Sequence, residues 1–307
     1  MEALRCSRVR TSLAWLSLLA TAFIAACSDD DGGGSSSTTT TTTSGEGGAG
    51  GGDRVVELRF EGRIGDQLFS CGSTYAGLGT SEAEASLTDF RLYLHDLQLH
   101  RIGGGEVPLA LAQDGLWQHQ DLVLLDFEDG TGGCANGTEE MNVVVRGTVP
   151  AGDYDGLSSK LGVPFELNHA DVAAAPSPLN LSALYWSWNG GYKFLRADAV
   201  PTGGADAFNL HLGSTGCTDD PGGRLASCDR PNVAEIVLPS FNPRTSKVLI
   251  DYGAVIAGSD LTVNVGGAPG CMSGAADPEC AAVFERLGID VVDGSIHPKQ
   301  QALFRAE

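Results

Sequence analysis

The clearest strand signal in this chain is the segment FRLYLHDLQL at residues 90–99, in which apolar and polar side chains nearly alternate. Such alternation is typical of a β-strand, because successive side chains point to opposite faces of a sheet. Helical periodicity is limited to residues 156–161 and 281–287. Further strand-like runs lie between Gly, Asn, Asp and Pro clusters, at residues 55–60, 122–127, 143–149, 192–195, 208–212, 236–238, 248–250 and 261–265. Many short strands with Gly-rich turns predict an all-β fold, a β-sandwich with long loops.

The N-terminus has the composition of an export signal. Three Arg in the first ten residues precede an apolar segment at residues 12–26, which is short for a membrane span. The segment ends in IAAC at residues 24–27, a pattern that resembles the bacterial lipobox. We therefore expect a lipoprotein signal peptide over residues 1–27 and a lipid on Cys27, with an uncleaved anchor helix as the alternative. Both place the remaining chain outside the cytoplasm, in the periplasm or at the cell surface, and anchored to a membrane.

A segment of low complexity follows the signal. Residues 28–53 contain an Asp triplet, Gly runs and six consecutive Thr, with no apolar residue larger than Ala. Because such a segment has nothing to bury, it is predicted to be a disordered tether. Residues 54–307 show neither a second linker nor a fixed repeat, so a single domain is expected there.

The chain is strongly acidic, with a formal net charge of −20 at pH 7. This balance argues against nucleic acid and anionic lipid surfaces as partners, and leaves the lipid anchor as the only expected membrane attachment. A cationic partner or metal cations would suit it, and a solvated acidic surface is the simpler explanation for most of the charge.

Cysteine usage predicts disulfides. Six cysteines remain after the signal, an even count that in an oxidising compartment indicates three bridges. They are Cys71, Cys134, Cys217, Cys228, Cys271 and Cys280. Six cysteines allow fifteen pairings; pairing of near neighbours would join Cys217 to Cys228 and Cys271 to Cys280, leaving Cys71 with Cys134. A cysteine metal cluster is the alternative, but no CxxC spacing supports it.

An aromatic motif, WSWNGGYKF at residues 186–194, stands out in a chain with only four Trp. In an extended segment Trp186 and Trp188 point to the same side of the sheet. They could be core aromatics. They could also form an exposed platform with Tyr192, as in a β-sandwich module that binds carbohydrate or protein. A metal site is the third interpretation.

Histidines near this motif favour the metal site. His169 lies in a loop-like stretch, where Asn168 and Asp171 could orient its imidazole through the second ring nitrogen. His211 ends a strand-like run before a Gly-Ser-Thr-Gly turn. His119, two residues after a Trp, is a further candidate ligand. Two His beside an oxidisable aromatic pair suggest a soft-metal site, with copper as the first choice.

A series of motifs, in order along residues 54–290, links the chain to a known family. They are FEG at 60–62, FSC at 69–71, DFRLY at 89–93, LLDFEDG at 124–130, LGVPFELNHAD at 161–171, PLN at 178–180, WSW at 186–188 with GYKF at 191–194, HLGSTGC at 211–217, and CMSG at 271–274 with DPEC at 277–280. In this arrangement the chain resembles the MbnP-like periplasmic copper-binding proteins, the four-Cys member of a metallo-mystery pair.

The resemblance implies a function. Members of this family bind one copper as Cu(I), and binding depends on oxidation of the first Trp of the WxW motif to kynurenine. A partner di-haem protein of the cytochrome c peroxidase/MauG type performs that oxidation. Carried onto this sequence, the modified residue is Trp186, and His169 and His211 are expected to complete the site by analogy with other copper proteins. The protein would then serve copper homeostasis as the substrate of an enzyme, and would not itself be one.

The chemistry of an opened indole agrees with this implication. An intact indole N–H only donates, whereas kynurenine offers an aryl amine and a ketone to a cation. Cu(I) accepts low coordination numbers with imidazole or soft donors. Trp188 is expected to line the pocket or to conduct electrons to the partner, and Met272 is a further soft ligand candidate. GxSxG, HExxH and CxxCH motifs are absent from the sequence.

Overall fold

The fold is described by a computed structural model for residues 52–187, 190–221, 223 and 225–307. The predicted signal peptide, the lipid on Cys27 and nearly all of the tether lie outside these residues, and so does Trp188. The first strand begins at Asp53, which the sequence assigns to the end of the tether.

Strands are the main regular element. In chain order they are β1 (Asp53–Ile64), β2 (Gln67–Leu68), β3 (Thr74–Leu78), β4 (Ala83–Arg101), β5 (Glu106–Pro108), β6 (Ala110–Leu111), β7 (Gln118–His119), β8 (Leu122–Asp126), β9 (Val144–Pro150), β10 (Tyr154–Leu161), β11 (Tyr185–Trp186), β12 (Gly191–Tyr192), β13 (Leu195–Pro201), β14 (Phe208–Leu212), β15 (Thr215–Asp219), β16 (Leu225–Arg230), β17 (Ala234–Pro239), β18 (Lys247–Asp251), β19 (Gly270–Cys271) and β20 (Phe304–Ala306). Helices are short: α1 (Phe165–Asn168), α2 (Tyr252–Val255), α3 (Cys280–Leu287), and 3-10 turns at Gly132–Cys134 and Ser182–Leu184.

Two large sheets hold the molecule together. A six-stranded sheet has the order β20-β18-β1-β9-β6, with β2 also paired to β1. A ten-stranded sheet has the order β17-β10-β4-β13-β14-β19; β3, β5 and β8 also pair with β4, and β7 pairs with β8. Two small hairpins, β11–β12 and β15–β16, stand apart from these sheets. The predicted all-β, sandwich-like fold is confirmed.

The long strand β4 contains the segment from which the fold was predicted. Its ends alternate between buried and more exposed side chains, while residues 89–95 are buried on both faces. Asp96 has a φ of 52°, and the register of β4 against β10 shifts nearby. This irregularity explains why the alternation in the sequence is only approximate, since an extra residue moves the following side chains to the other face.

The core lies where the two sheets face each other. The ring of Phe90 on β4 packs against the rings of Phe69, Phe127 and Tyr252, with centroids 5.5, 5.1 and 6.4 Å away. Gly62 on β1 permits this close approach, because a Cβ there would lie 2.9 Å from Cγ of Phe127. The sandwich is therefore closed by aromatic packing around a single buried ring.

Two local predictions were wrong. Residues 156–161 form part of β10 rather than a helix, because they pair on one side with β4 and on the other with β17. Residues 261–265 are irregular rather than a strand; Leu261 is buried, but Val263 and Val265 are exposed. The predicted run at 192–195 is divided between β12 and β13. The helix predicted at 281–287 is confirmed as α3.

Three disulfides staple the fold, with the pairing that near neighbours predict. Cys71 joins Cys134, Cys217 joins Cys228 across β15–β16, and Cys271 joins Cys280 between β19 and α3. Disulfides persist in oxidising compartments, so they indicate an extracytoplasmic protein. Among the described residues, the helices are all too short or too polar to cross a membrane.

Candidate metal centre

The hairpin β11–β12 positions Trp186. Trp186 pairs with Gly191 across the hairpin, and its carbonyl accepts a hydrogen bond from the amide of Gly190 at 2.8 Å. The residue is buried, with 6% exposure. Its indole lies against Gly213, where a Cβ would be 2.6 Å from Cζ3 of the indole. The indole is therefore enclosed by the backbone that follows β14.

His211, on β14, lies beside this indole. The two ring centroids are 6.1 Å apart. Nε2 of His211 is 2.6 Å from Oδ1 of Asp198, and because a carboxylate only accepts, Nε2 carries the hydrogen. Nδ1 is buried and has no hydrogen-bond partner. An imidazole that donates through Nε2 can use the lone pair of Nδ1 to bind a metal ion.

Asp198 is the group that fixes His211, and it belongs to a buried network of charges. Burial alone would raise the pKa of Asp198, but the hydrogen bond from His211 and the charge and hydrogen bond of Arg196 outweigh burial and lower the pKa. Arg196 contacts Asp198 at 2.7 Å and Asp89 at 3.1 Å, and Arg91 binds Asp89 in turn. The imidazole is thus tied through ion pairs to the central strand β4.

His169 follows α1 and is held by a different partner. Its Nδ1 lies 2.8 Å from the carbonyl oxygen of Gly190, so Nδ1 donates and Nε2 retains its lone pair. Nε2 faces the side-chain amide of Asn168 at 3.1 Å and Sγ of Cys228 at 3.4 Å. The ring of Phe165 packs edge-on at 4.7 Å. Each imidazole therefore has one nitrogen held by a hydrogen-bond acceptor and a second nitrogen that can ligate.

Asn168 joins α1 to the strands around Trp186. Its Oδ1 accepts from the amide of Tyr192 at 2.7 Å, and its Nδ2 lies 2.8 Å from Oγ of Ser214. Tyr192 follows Gly191 in β12, and Ser214 lies in the turn after β14. Asn168 therefore holds the residue before His169 against β12, the partner strand of Trp186, and against the turn that follows His211.

The other predicted site residues occupy different positions. Asp171 is exposed, and its carboxylate accepts from the amide of Ala173, so it does not orient His169. His119 lies in β7, with Nε2 beside the side-chain amide of Gln120. Met272 directly follows Cys271 in β19, which pairs in parallel with Leu210, so its backbone lies next to His211.

Several contributing groups have no local signal in the sequence. Asp198 and Arg196 act on His211 from the neighbouring strand, and Ser273 donates to the carbonyl of His211 at 2.8 Å. The carbonyl of Gly190 is a backbone group that any residue would supply. A hint was available in LRADA at residues 195–199, since charged side chains alternating with Ala are unusual in a buried strand.

A second group of ligand atoms surrounds His169. The side chains of His169, Cys217 and Cys228 each place one such atom within 4.8 Å of the others. Because the two sulfurs are joined in a disulfide, neither is a thiolate, and thiolates are the form of Cys that binds metals. In the oxidised protein only the imidazole of this group can ligate.

These features define a class: all-β sandwiches of an oxidising compartment, stapled by disulfides, with a buried Trp beside an oriented imidazole. The MbnP family model matches residues 53–273, and the chain belongs to the MbnP family. Its fold is similar to the solved structure of MbnP from Methylosinus trichosporium, with a TM-score of 0.73 and 30% sequence identity over 83% of this chain and 98% of that chain. No curated protein matches the chain.

Proposed function

We propose that this protein binds Cu(I) outside the cytoplasm and serves copper homeostasis. Trp186 is oxidised to kynurenine by a di-haem partner of the cytochrome c peroxidase/MauG type. The opened ring then binds copper together with His169 and His211. Membership of the MbnP family supports a role in copper handling. The protein is a substrate of its partner and carries copper rather than catalysing a reaction.

The observation that carries this proposal is the state of His211. A buried nitrogen without a hydrogen-bond partner destabilises a folded protein unless something compensates for its desolvation. Nδ1 of His211 is such an atom, and it lies beside the indole of Trp186. A Cu(I) ion held by His211 and the opened indole would satisfy this nitrogen.

The donor set fits a soft monovalent ion. Both imidazoles are fixed through one nitrogen by an acceptor, Asp198 for His211 and the Gly190 carbonyl for His169. Such partners set the tautomer and orientation of metal-binding His and strengthen the ligand. Copper supplies the Lewis acid, and the chain supplies two neutral nitrogens and, after oxidation, an amine or ketone.

Burial also favours the copper site over the alternative function. A platform for carbohydrate or protein binding needs exposed rings, but Trp186 is 6% exposed and Tyr192 is fully buried. Tyr192 instead donates its hydroxyl to the carbonyl of Leu179. Neither ring is available for stacking against a ligand.

The remaining parts of the proposal concern location. A lipid on Cys27 and a tether over residues 28–53 would hold the domain near a membrane in the periplasm or at the cell surface. The three disulfides agree with such a compartment.

The test is to produce Trp186→Phe together with the di-haem partner. This variant should lose stoichiometric copper while remaining folded, because Phe cannot be opened to kynurenine. The native Trp186 peptide should show a mass change equal to the loss of one carbon and the gain of one oxygen. Trp117→Phe, at a partly buried Trp of the core, is the matched control and should keep copper. Full copper in Trp186→Phe would refute the proposal.

A further inference from the structure

The disulfide Cys217–Cys228 touches the imidazole of His169. Nε2 of His169 lies 3.4 Å from Sγ of Cys228 and 4.0 Å from Sγ of Cys217. Nδ1 of the same ring is occupied by the Gly190 carbonyl, so Nε2 is the ring nitrogen left to ligate, and its neighbours are the Asn168 amide and the two sulfurs. A nitrogen lone pair and two sulfur atoms therefore converge at the hairpin β15–β16.

This disulfide is the most accessible of the three. Cys217 and Cys228 are partly exposed, whereas the cysteines of the other two bridges are at most 3% exposed. A dissolved or protein-borne thiol has to reach a sulfur to attack it. A gentle reductant should therefore open Cys217–Cys228 before the bridges that staple the core.

We infer that reduction of Cys217–Cys228 creates a second soft-metal site, formed by the two thiolates and Nε2 of His169. A dithiol of the thiol–disulfide oxidoreductase class attacks one sulfur, the S–S bond breaks, and the dithiol is oxidised to a disulfide as both Cys become thiols. On binding, the two thiols release their protons to solvent and both sulfurs bind the cation. The ligand is a soft d10 cation of the Cu(I) or Zn(II) class, which this donor set prefers.

The distances from Nε2 of His169 to the two sulfurs suit such an ion. Metal–sulfur bonds of about 2.3 Å and metal–nitrogen bonds of about 2.0 Å at tetrahedral angles put nitrogen and sulfur roughly 3.5 Å apart. The two nitrogen–sulfur distances, 3.4 and 4.0 Å, bracket that value. Reduction also lets the sulfurs separate, and Cys217 faces Cys228 directly across the hairpin.

The neighbouring side chains permit the change. Asn168 gives up its contact with Nε2 of His169, but retains its bonds to Ser214 and to the amide of Tyr192. The site shares His169 with the proposed copper site, and it needs neither Trp186 nor kynurenine. Redox state would thus decide which of two sites uses this imidazole.

The experiment uses Trp186→Phe as background, so that the proposed kynurenine site plays no part. The protein is treated anaerobically with a mild dithiol, exposed thiols are alkylated in one aliquot and located by peptide mass, and Cd(II) is titrated into another. Cys217 and Cys228 should be alkylated first. The reduced protein should bind one equivalent of Cd(II) with a thiolate-to-metal charge-transfer band, and the oxidised protein should show no such band.

Two further variants complete the test. Cys217→Ser/Cys228→Ser should abolish the band. His169→Gln should weaken Cd(II) binding by at least about tenfold, because even the partners of metal ligands are worth roughly 10–100-fold in affinity. Absence of the band in the reduced background protein, or equal affinity in His169→Gln, would overturn the inference. Copper retention by Trp186→Phe in the earlier test would overturn the kynurenine site and leave this one standing.

Discussion

At the scale of single residues, Asp198 is the side chain on which the orientation of His211 depends. Asp198→Asn replaces the acceptor of the 2.6 Å hydrogen bond by a group that presents either a carbonyl or a competing donor. We expect the affinity of the mature protein for Cu(I) to fall by roughly 10–100-fold, the usual effect of losing such a partner. Competition with a chromophoric Cu(I) chelator measures the change.

The control for this prediction is Asp153→Asn. Asp153 is 73% exposed and lies 3.5 Å from Arg244, so its charge is screened by water and its partner is Arg244 rather than a histidine. The Asp153→Asn variant should bind Cu(I) with the affinity of the unmodified protein. Equal affinity in Asp198→Asn and Asp153→Asn would show that Asp198 does not act on the ligand.

A second residue-scale prediction concerns Asp126. Burial raises the pKa of its carboxyl from 3.8 to about 8; the attraction of Arg91 opposes this change and the charge of Glu128 adds to it. The folded protein therefore holds a proton that the unfolded chain releases above pH 4, and stability falls as the pH rises from 4 towards 8.

Urea unfolding at pH 5 and pH 8 tests this dependence. Asp126→Asn cannot ionise, so it should lose less stability than the unmodified protein over that interval, by on the order of 1–3 kcal/mol. Some dependence should remain, because burial also raises the pKa of Glu128 to about 7. Asp66→Asn, at an exposed position, should retain the full dependence. A slope in Asp126→Asn as steep as in the unmodified protein would contradict the assignment.

Individual site residues were predictable only in part. His169, His211 and Trp186 belong to recognisable motifs; the structure places His211 beside Trp186 and bonds His169 to Gly190 in the loop that follows Trp186. Asp198 could not be predicted, because its relation to His211 depends on how β13 and β14 pair. Asp171 is adjacent to His169 in sequence, yet a turn directs its carboxylate to Ala173.

At the scale of elements, the contact between the β11–β12 hairpin and the turn after β14 sets the position of Trp186. Gly213→Ala would place a methyl group 2.6 Å from the indole and 2.7 Å from the carbonyl oxygen of Tyr192. We expect a loss of about 1–3 kcal/mol in unfolding free energy, the usual effect of overpacking a core. Urea denaturation measures it.

Gly266→Ala is the matched control for that change. A Cβ at Gly266 would meet no atom within 4 Å, so Ala should be neutral or slightly stabilising. If Gly213→Ala were as stable as Gly266→Ala, the indole would not be as tightly enclosed as the structure indicates.

The prediction of elements failed where pairing or burial overrides local pattern. Residues 156–161 contain apolar side chains at helical spacing, but two neighbouring strands bind their backbone. Residues 261–265 alternate like a strand, but they have no partner strand in the described sheets. A sequence pattern identifies which side chains are buried, but the neighbouring strands decide whether the segment forms a helix, a strand or neither.

At the scale of the whole molecule, the Cys71–Cys134 bridge ties the segment that leads from one sheet to the other to the 3-10 turn after β8. Cys71 lies between β2 of the six-stranded sheet and β3 of the ten-stranded sheet, and Cys134 ends a 3-10 turn after β8. It closes a loop of 63 residues. Cys71→Ala/Cys134→Ala should therefore lower the unfolding free energy by about 4 kcal/mol.

Cys217→Ala/Cys228→Ala provides the comparison. That bridge closes a loop of 11 residues, for which loss of the cross-link should lower the unfolding free energy by about 3 kcal/mol. Chemical denaturation of both variants gives the order. If removal of Cys217–Cys228 lowered the unfolding free energy more than removal of Cys71–Cys134, stabilisation would not grow with the length of the closed loop.

The fold class was predictable, but the topology was not. Short alternating segments and Gly-rich turns suffice for an all-β sandwich, and near-neighbour pairing suffices for two of the disulfides. The parallel pairing of β1 with β18 joins residues nearly 190 positions apart, Arg59 with Lys247. No local pattern contains such a pairing, which follows from the packing of the whole chain.

The partners of β4 also limit how this protein can change in length. One strand pairs with β3, β5, β8, β10 and β13. Deleting a single residue near the centre of β4 would move every later side chain of the strand to the opposite face of the sheet, and would break its register with several neighbouring strands at once. Insertions and deletions among related proteins should therefore occur in the loops, and the length of β4 should change least.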